Sequence, residues 1–285
     1  MFKLKNLSRI ILFAGFAILI ISEVSAQYKP GQITFEEKES FHWPEGKRAA
    51  VSLSFDDARL SQIDVGMPLF DKYGVNATFY VLSDNVKKNL EGWKKAHANG
   101  HEIGNHTLSH PCTGNFDFSR DNALEMYDLD LMSHELDGAN AEIEQLLGVK
   151  PVTFAYPCGQ KFVGKGVNVK SYIPLVAERF IAGRGYLGES ANDPIFCDLA
   201  QVIGIGFDNV DAATAIELLE QAAAEGRWLI LAGHEIGDAG FQTTYSSAIE
   251  SICNYALDVE NGIWIDTVET VGRYVMEYQN SVNDD

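Results

Sequence analysis

Three of the seven histidines fall inside one short stretch, Gly100–Pro111, and two of them, His106 and His110, stand four residues apart. That spacing puts two imidazoles on one side of a helical turn, or lets them converge from a tight loop. Two neutral imidazole nitrogens aimed at one point suit a borderline-soft divalent ion such as zinc. A pair is not a site, so a third ligand is needed. Asp56 and Asp57 are the candidates: adjacent acids on extended chain point to opposite faces, so one can ligate while the other faces a substrate. An isolated Asp-Asp pair usually belongs to a solvated loop or a helix cap. This one directly follows an apolar, β-forming run, Ala49–Phe55. One carboxylate with two imidazoles makes a three-ligand site whose fourth position is open to water.

The elements that must position these groups follow an alternating pattern. Strand candidates are Ala49–Phe55, Ala77–Leu82, Glu102–Thr107, Val152–Tyr156, Phe180–Tyr186, Ala200–Ile205, Trp228–Gly233 and Gly262–Val268. Between them, helices are predicted over Ile63–Tyr73, Leu90–Asn99, Asn122–Leu147, Tyr172–Arg179 and Ala212–Glu225, and Gly74, Gly100, Gly148 and Gly226 each follow one as a C-terminal stop. Alternation of this kind argues for a parallel sheet. Seven or eight such units point to an α/β fold, a single-domain, closed or nearly closed (β/α)7–8 barrel over residues 47–285. No glycine-rich dinucleotide fingerprint or phosphate loop follows any strand.

In such a barrel the working groups sit where strands end. Asp56 and Asp57 close the first strand, His106 and His110 the third, Tyr156-Pro157-Cys158-Gly159 the fourth; Arg184 lies near the end of the fifth and His234 closes the seventh. All would share one rim.

The strings SFDDA at 54–58, HTLSH at 106–110, FAYPCG at 154–159 and LILAGHE at 229–235 resemble, in order, successive motifs of the polysaccharide deacetylase (NodB-homology, carbohydrate esterase) family. The resemblance covers about 48 to 270 and implies a distorted barrel. It also implies that Asp57, His106 and His110 hold the metal, that Asp56 is the general base and His234 the general acid. It places the oxyanion at the Cys158 N–H, with Tyr156, Pro157 and Arg184 also at the oxyanion and substrate side. Two departures stand out. Ala58 occupies a position that is Gly in many members, a mild change if the backbone there is ordinary. Ala155 occupies the position of an arginine that orients the base in the family, and Arg184 on the next strand is either its replacement or a structural ion pair, two readings of equal weight. Asp208 and Asp211 resemble a further motif but lack its tryptophan, and both read as helix caps. Tyr156 and Phe241, near the rim by position, could stack on sugar rings, but packing is the preferred reading of each.

Residues 1–26 have the layout of a secretory signal: Lys3, Lys5 and Arg9, an apolar run Ile10–Ile21, then Val24-Ser25-Ala26. Residues 27–46 read as a polar lead-in arm. The apolar run is short for a membrane span of roughly 20 residues, and no second one follows. With 40 acidic and 22 basic residues, net −18, the chain is a poor partner for nucleic acid or anionic lipid. Four cysteines, Cys112, Cys158, Cys197 and Cys253, allow one or two disulfides in an exported, periplasmic or secreted protein, or buried thiols. The expectation is a metal-dependent hydrolase, using Zn2+ or another divalent ion such as Co2+ or Ni2+, that removes acetyl groups from a carbohydrate polymer or oligosaccharide, N-acetyl before O-acetyl. Rival readings are an O-acetyl esterase acting on a polymer such as xylan, a retired carbohydrate-binding barrel, and a metal-free ring-opening amidohydrolase on the same barrel.

Overall fold

The computed structural model describes residues 41–283; the expected signal segment 1–26 and residues 27–40 of the arm lie outside the described residues. Strand β1 (Ala49–Asp56) is buried along its whole length, as a strand covered on both faces must be. Its side chains alternate. Val51, Leu53 and Phe55 enter the main apolar cluster beneath the helices, whereas Ser52 and Ser54 face the other way, bonding the Trp228 indole N–H at 3.0 Å and the Leu231 carbonyl at 2.9 Å. That second face is the one that carries Asp56.

Around β1 run β2 (Thr78–Val81), β3 (Glu102–Asn105), β4 (Thr153–Ala155), β5 (Ala182–Arg184), β6 (Ile205–Gly206), β7 (Trp228–Gly233) and β8 (Ile263–Ile265). They form one parallel sheet in the order β5-β4-β3-β2-β1-β7-β6, with β8 beside the start of β1. The two edges come together: Arg184 bridges Val202, Gly185 N donates to Val202 O at 2.8 Å, and Gly188 N donates to Gly204 O at 2.9 Å. The sheet therefore curls nearly shut, in keeping with the nearly closed (β/α)7–8 barrel expected from the alternation.

Helices α1 (Met67–Tyr73), α2 (Leu90–Ala98), α3 (Leu129–Leu147), α4 (Ile173–Ala177), α5 (Ala212–Glu225), α6 (Ser246–Leu257) and α7 (Val268–Asn283) pack outside. Gly74, Gly148 and Gly226 cap theirs in the left-handed conformation, at φ 62°, 73° and 71°. No helix of the described residues is long and apolar enough to cross a membrane.

Several expectations need correction. Ala200–Ile205 is not a strand. Asp198 caps a 3-10 turn at Leu199–Gln201, Val202 makes a single isolated bridge to Arg184, and only Ile205–Gly206 forms a strand. Helix α3 starts at Leu129, where the Asp128 carboxylate accepts from Leu131 N at 2.8 Å; the residues before it make 3-10 turns. Helices α6 and α7 were not anticipated, since the final strand stops at Ile265 and Thr267 Oγ1 accepts from Thr270 N at the head of α7. At the other end Trp43 is buried against α7 and donates to Gly226 O at 2.9 Å, so the packed body includes the last residues assigned to the arm.

Candidate metal centre and active site

Asp57, His106 and His110 meet at the C-terminal mouth of the barrel, their ligand atoms all within 4.8 Å of one another. Asp57 Oδ1 lies 3.6 Å from His106 Nε2 and 3.7 Å from His110 Nε2. The histidines converge from a tight loop, not a helical turn. Asn105 Oδ1 accepts from Thr107 N, Thr107 Oγ1 accepts from His110 N, and Glu135 on α3 takes both Leu108 N and Ser109 N. His106 donates through Nδ1 to Ala155 O at 2.9 Å, which leaves its Nε2 lone pair facing Asp57. Burial, together with neighbouring His106, pushes His110 down to about 4, so His110 is neutral at pH 7.

These residues fit a divalent cation. Asp57 Oδ1 is buried and makes no hydrogen bond, an unfavourable state for a carboxylate oxygen unless a cation is its partner. Two imidazole nitrogens and one carboxylate oxygen form a donor set that zinc, cobalt or nickel accepts. His110, Cys112 and Cys158 also lie close together, but the two sulfurs are joined in a disulfide and offer no thiolate. The other two cysteines, Cys197 and Cys253, are free thiols.

Asp56 points into the barrel, where Arg184 Nη2 donates to its Oδ1. Both side chains are almost wholly buried. Burial by itself would raise the Asp56 carboxyl; Arg184, His106 and His234 outweigh it and hold the group below the usual carboxylate range. Arg184 is the register partner of Ala155 across β4 and β5, so the guanidinium arrives from the position beside the arginine missing from the fourth strand. His234, at the end of β7, is fixed by Asp208, which accepts from its backbone N at 2.9 Å and from Nδ1 at 2.6 Å. Burial would lower His234, but Asp208 and Asp56 raise it above the ordinary imidazole value.

The remaining expectations divide. Cys158 sits at the rim with φ 54°, is bonded to Cys112, and its backbone N–H has no hydrogen-bond acceptor among the described residues. Pro157 is buried in the turn before it. Tyr156 is not free to stack on a sugar: it packs on Phe154 and Tyr172, and its hydroxyl donates to Ala200 O at 2.6 Å. Phe241 is exposed on the β7 loop. Ala58 lies at φ 54°, so the backbone where many relatives have Gly is left-handed and the change is not mild. Asp211 does cap α5, but Asp208 does not; it holds His234.

Three positions escaped the sequence reading. Arg59 donates to Asp57 Oδ2 through Nε at 3.2 Å and Nη2 at 2.9 Å, and to Glu235 at 3.1 Å, turning the other carboxylate oxygen toward the histidines. Gln62 donates to both Asp56 O and His234 O, fastening the ends of β1 and β7 together. Asn85 donates to Asp57 O at 2.7 Å. Only Arg59 carried a local signal, a cation two residues from an acid.

Residues 44–169 match the family model described as Polysaccharide deacetylase. Over that stretch the chain is similar to the polysaccharide deacetylase family. It is 38% identical over 93 residues to the Uncharacterized protein YlxY of Bacillus subtilis, covering 33% of this chain and 26% of that one. It is 27% identical over 159 residues to the Peptidoglycan-N-acetylglucosamine deacetylase PgdA of Listeria monocytogenes, covering 55% and 30% respectively. The matches thus span under a third of those relatives' length. The fold is shared with a probable polysaccharide deacetylase of Pseudomonas aeruginosa, TM-score 0.59 at 15% identity over 86% of this chain and 97% of that one. It is shared too with a putative polysaccharide deacetylase of Mycobacterium smegmatis, TM-score 0.56 at 16% identity over 84% and 94%.

Proposed function

We propose that this protein is an exported, metal-dependent hydrolase that removes N-acetyl groups from an amino-sugar polymer. The observation carrying the reading is the unpartnered Asp57 Oδ1 facing two imidazole nitrogens, with a salt-bridged acid and an acid-held histidine on the same rim. Asp57, His106 and His110 would hold the cation, zinc first and cobalt or nickel as substitutes. A bound divalent ion supplies Lewis acidity, polarising the acetyl carbonyl and making the attacking water more acidic.

The chain's own groups supply the rest. Asp56, kept ionised by Arg184, accepts the proton of the attacking water. The Cys158 N–H is free to donate to the oxyanion. His234, kept protonated by Asp208, delivers a proton to the departing amine, a leaving group that cannot depart readily without one. The Cys112–Cys158 disulfide supports an oxidising, extracytoplasmic location, in keeping with the signal read at 1–26.

The test is acetate release from a panel of N-acetylated and O-acetylated glycans by metal-loaded protein. Release from the N-acetylated members, abolished by chelator and by His110→Ala, is expected. Release that survives chelation, or comes only from O-acetylated xylan, would refute it.

A further inference from the structure

A cavity of about 430 Å3 opens beside the catalytic rim and takes no part in the chemistry above. Its walls include Thr113, Glu125, Gly159, Gln160, Lys161 and Phe162. Thr113 and Gly159 each follow one cysteine of the bridge, so the cavity is continuous with the loops that carry His110 and the Cys158 N–H. Lys161 reaches from the cavity wall toward the end of β5. Its Nζ lies 3.6 Å from where a Cβ on Gly185 would stand, and the Gly185 carbonyl is itself an acceptor of Arg184.

Lys161 lacks the ion pair that some of the described lysines make. Lys72, Lys87 and Lys94 each find a carboxylate at 2.6 to 2.9 Å. Lys161 has none within 4 Å among the described residues, only the Gln201 amide oxygen at 3.5 Å, although acids outnumber bases 40 to 22. Its ammonium lies over the Tyr156 ring at 5.7 Å, and it is partly withdrawn from water. Glu125 in the same wall is already engaged, accepting from Thr113 Oγ1 and from Gly114 N. Phe162 is 56% exposed, an apolar ring on a wall that it shares with Leu124 as well as with polar Thr113, Gln160 and Lys161. A partly desolvated cation with no carboxylate in contact, Asp198 acting on it only at longer range, and a bare aromatic face together describe a sugar that carries an acid.

We propose that this cavity is a subsite for a carboxylate-bearing sugar next to the acetylated residue, with Lys161 binding the carboxylate and Phe162 covering a ring face. The substrate class is then an acidic acetylated glycan, not a neutral one. Placing the acetylated residue beside it rests on the deacetylase reading; the cavity and its charge do not.

The experiment is calorimetric titration of zinc-loaded protein with two probes, chitotetraose and a tetrasaccharide of alternating glucuronic acid and N-acetylglucosamine, with acetate release followed in parallel. The acidic probe should bind about tenfold more tightly, a ratio that Lys161→Met brings close to one and Lys161→Arg largely keeps. Equal affinities in the parent protein, or an unchanged ratio in Lys161→Met, would overturn the subsite. An acidic preference without acetate release from any glycan supports the subsite and counts against the deacetylase reading instead.

Discussion

Ala155 and Arg184 face each other in register on β4 and β5, and the guanidinium reaches across to Asp56. Asp56 thus draws its guanidinium from β5, lateral to Ala155 on β4. Removing it strands a buried carboxylate, a change that costs about 3 kcal/mol or more in comparable buried pairs. Arg184→Met should lower stability to urea by that order. It should also move the acid limb of the kcat/KM profile to higher pH, because Asp56 then loses the cation that keeps it ionised. A variant that is less stable but retains the parent pH profile would reduce Arg184 to a structural ion pair.

Asp208 raises His234 through its carboxylate. A general acid works while protonated, so a raised pKa extends activity toward alkaline pH. Asp208→Asn should therefore pull the alkaline limb of the pH profile downward and lower kcat by roughly 10²-fold or more, with metal content unchanged by elemental analysis.

Arg59 occupies one Asp57 oxygen and leaves the other for the cation. Substitutions at groups that orient metal ligands typically cost about 10- to 100-fold in affinity. Arg59→Gln should release zinc to a competing chelator at correspondingly lower chelator concentration, with the far-ultraviolet spectrum intact.

Glu102 lies at the opposite, N-terminal end of β3. Its carboxylate accepts from Thr78 Oγ1, Thr153 Oγ1 and the backbone N of Glu269, joining three strands to the start of α7. Burial raises it from 4.5 to about 7 despite these bonds. Below pH 4.5 the group is protonated folded or unfolded and exerts no pH-dependent effect. As pH rises toward 7 the unfolded chain loses the proton more readily, and this group alone lowers stability by about 3 kcal/mol. Glu102→Gln should flatten the dependence of the unfolding free energy between pH 4.5 and 7, measured by denaturant titration.

The strands that position the site were legible because each is short, apolar and punctuated, and their ends carry the acids and histidines. What was not legible is what those side chains touch. Gln62 and His234 are separated by 172 positions, and Arg59 and Glu235 by 176; no local spacing encodes such pairs. Asp208 was misread for a related reason. It stands three residues from Asp211, which truly is a cap, and only the return of β7 beside it reveals the other role. Tyr156 was placed at the rim by its number alone, while the turn at Pro157–Gly159 directs it inward.

Asp57, Ala58, Thr107, His110 and Cys158 all sit at positive φ, a conformation that costs a residue with a side chain roughly 1 to 2 kcal/mol. None of these short segments would hold that shape if cut free. A peptide spanning the histidine loop, or the same motifs grafted onto an unrelated scaffold, would spring back to ordinary geometry and scatter its ligands. What can be transplanted from this protein is the whole curled sheet, not the signature strings along its edge.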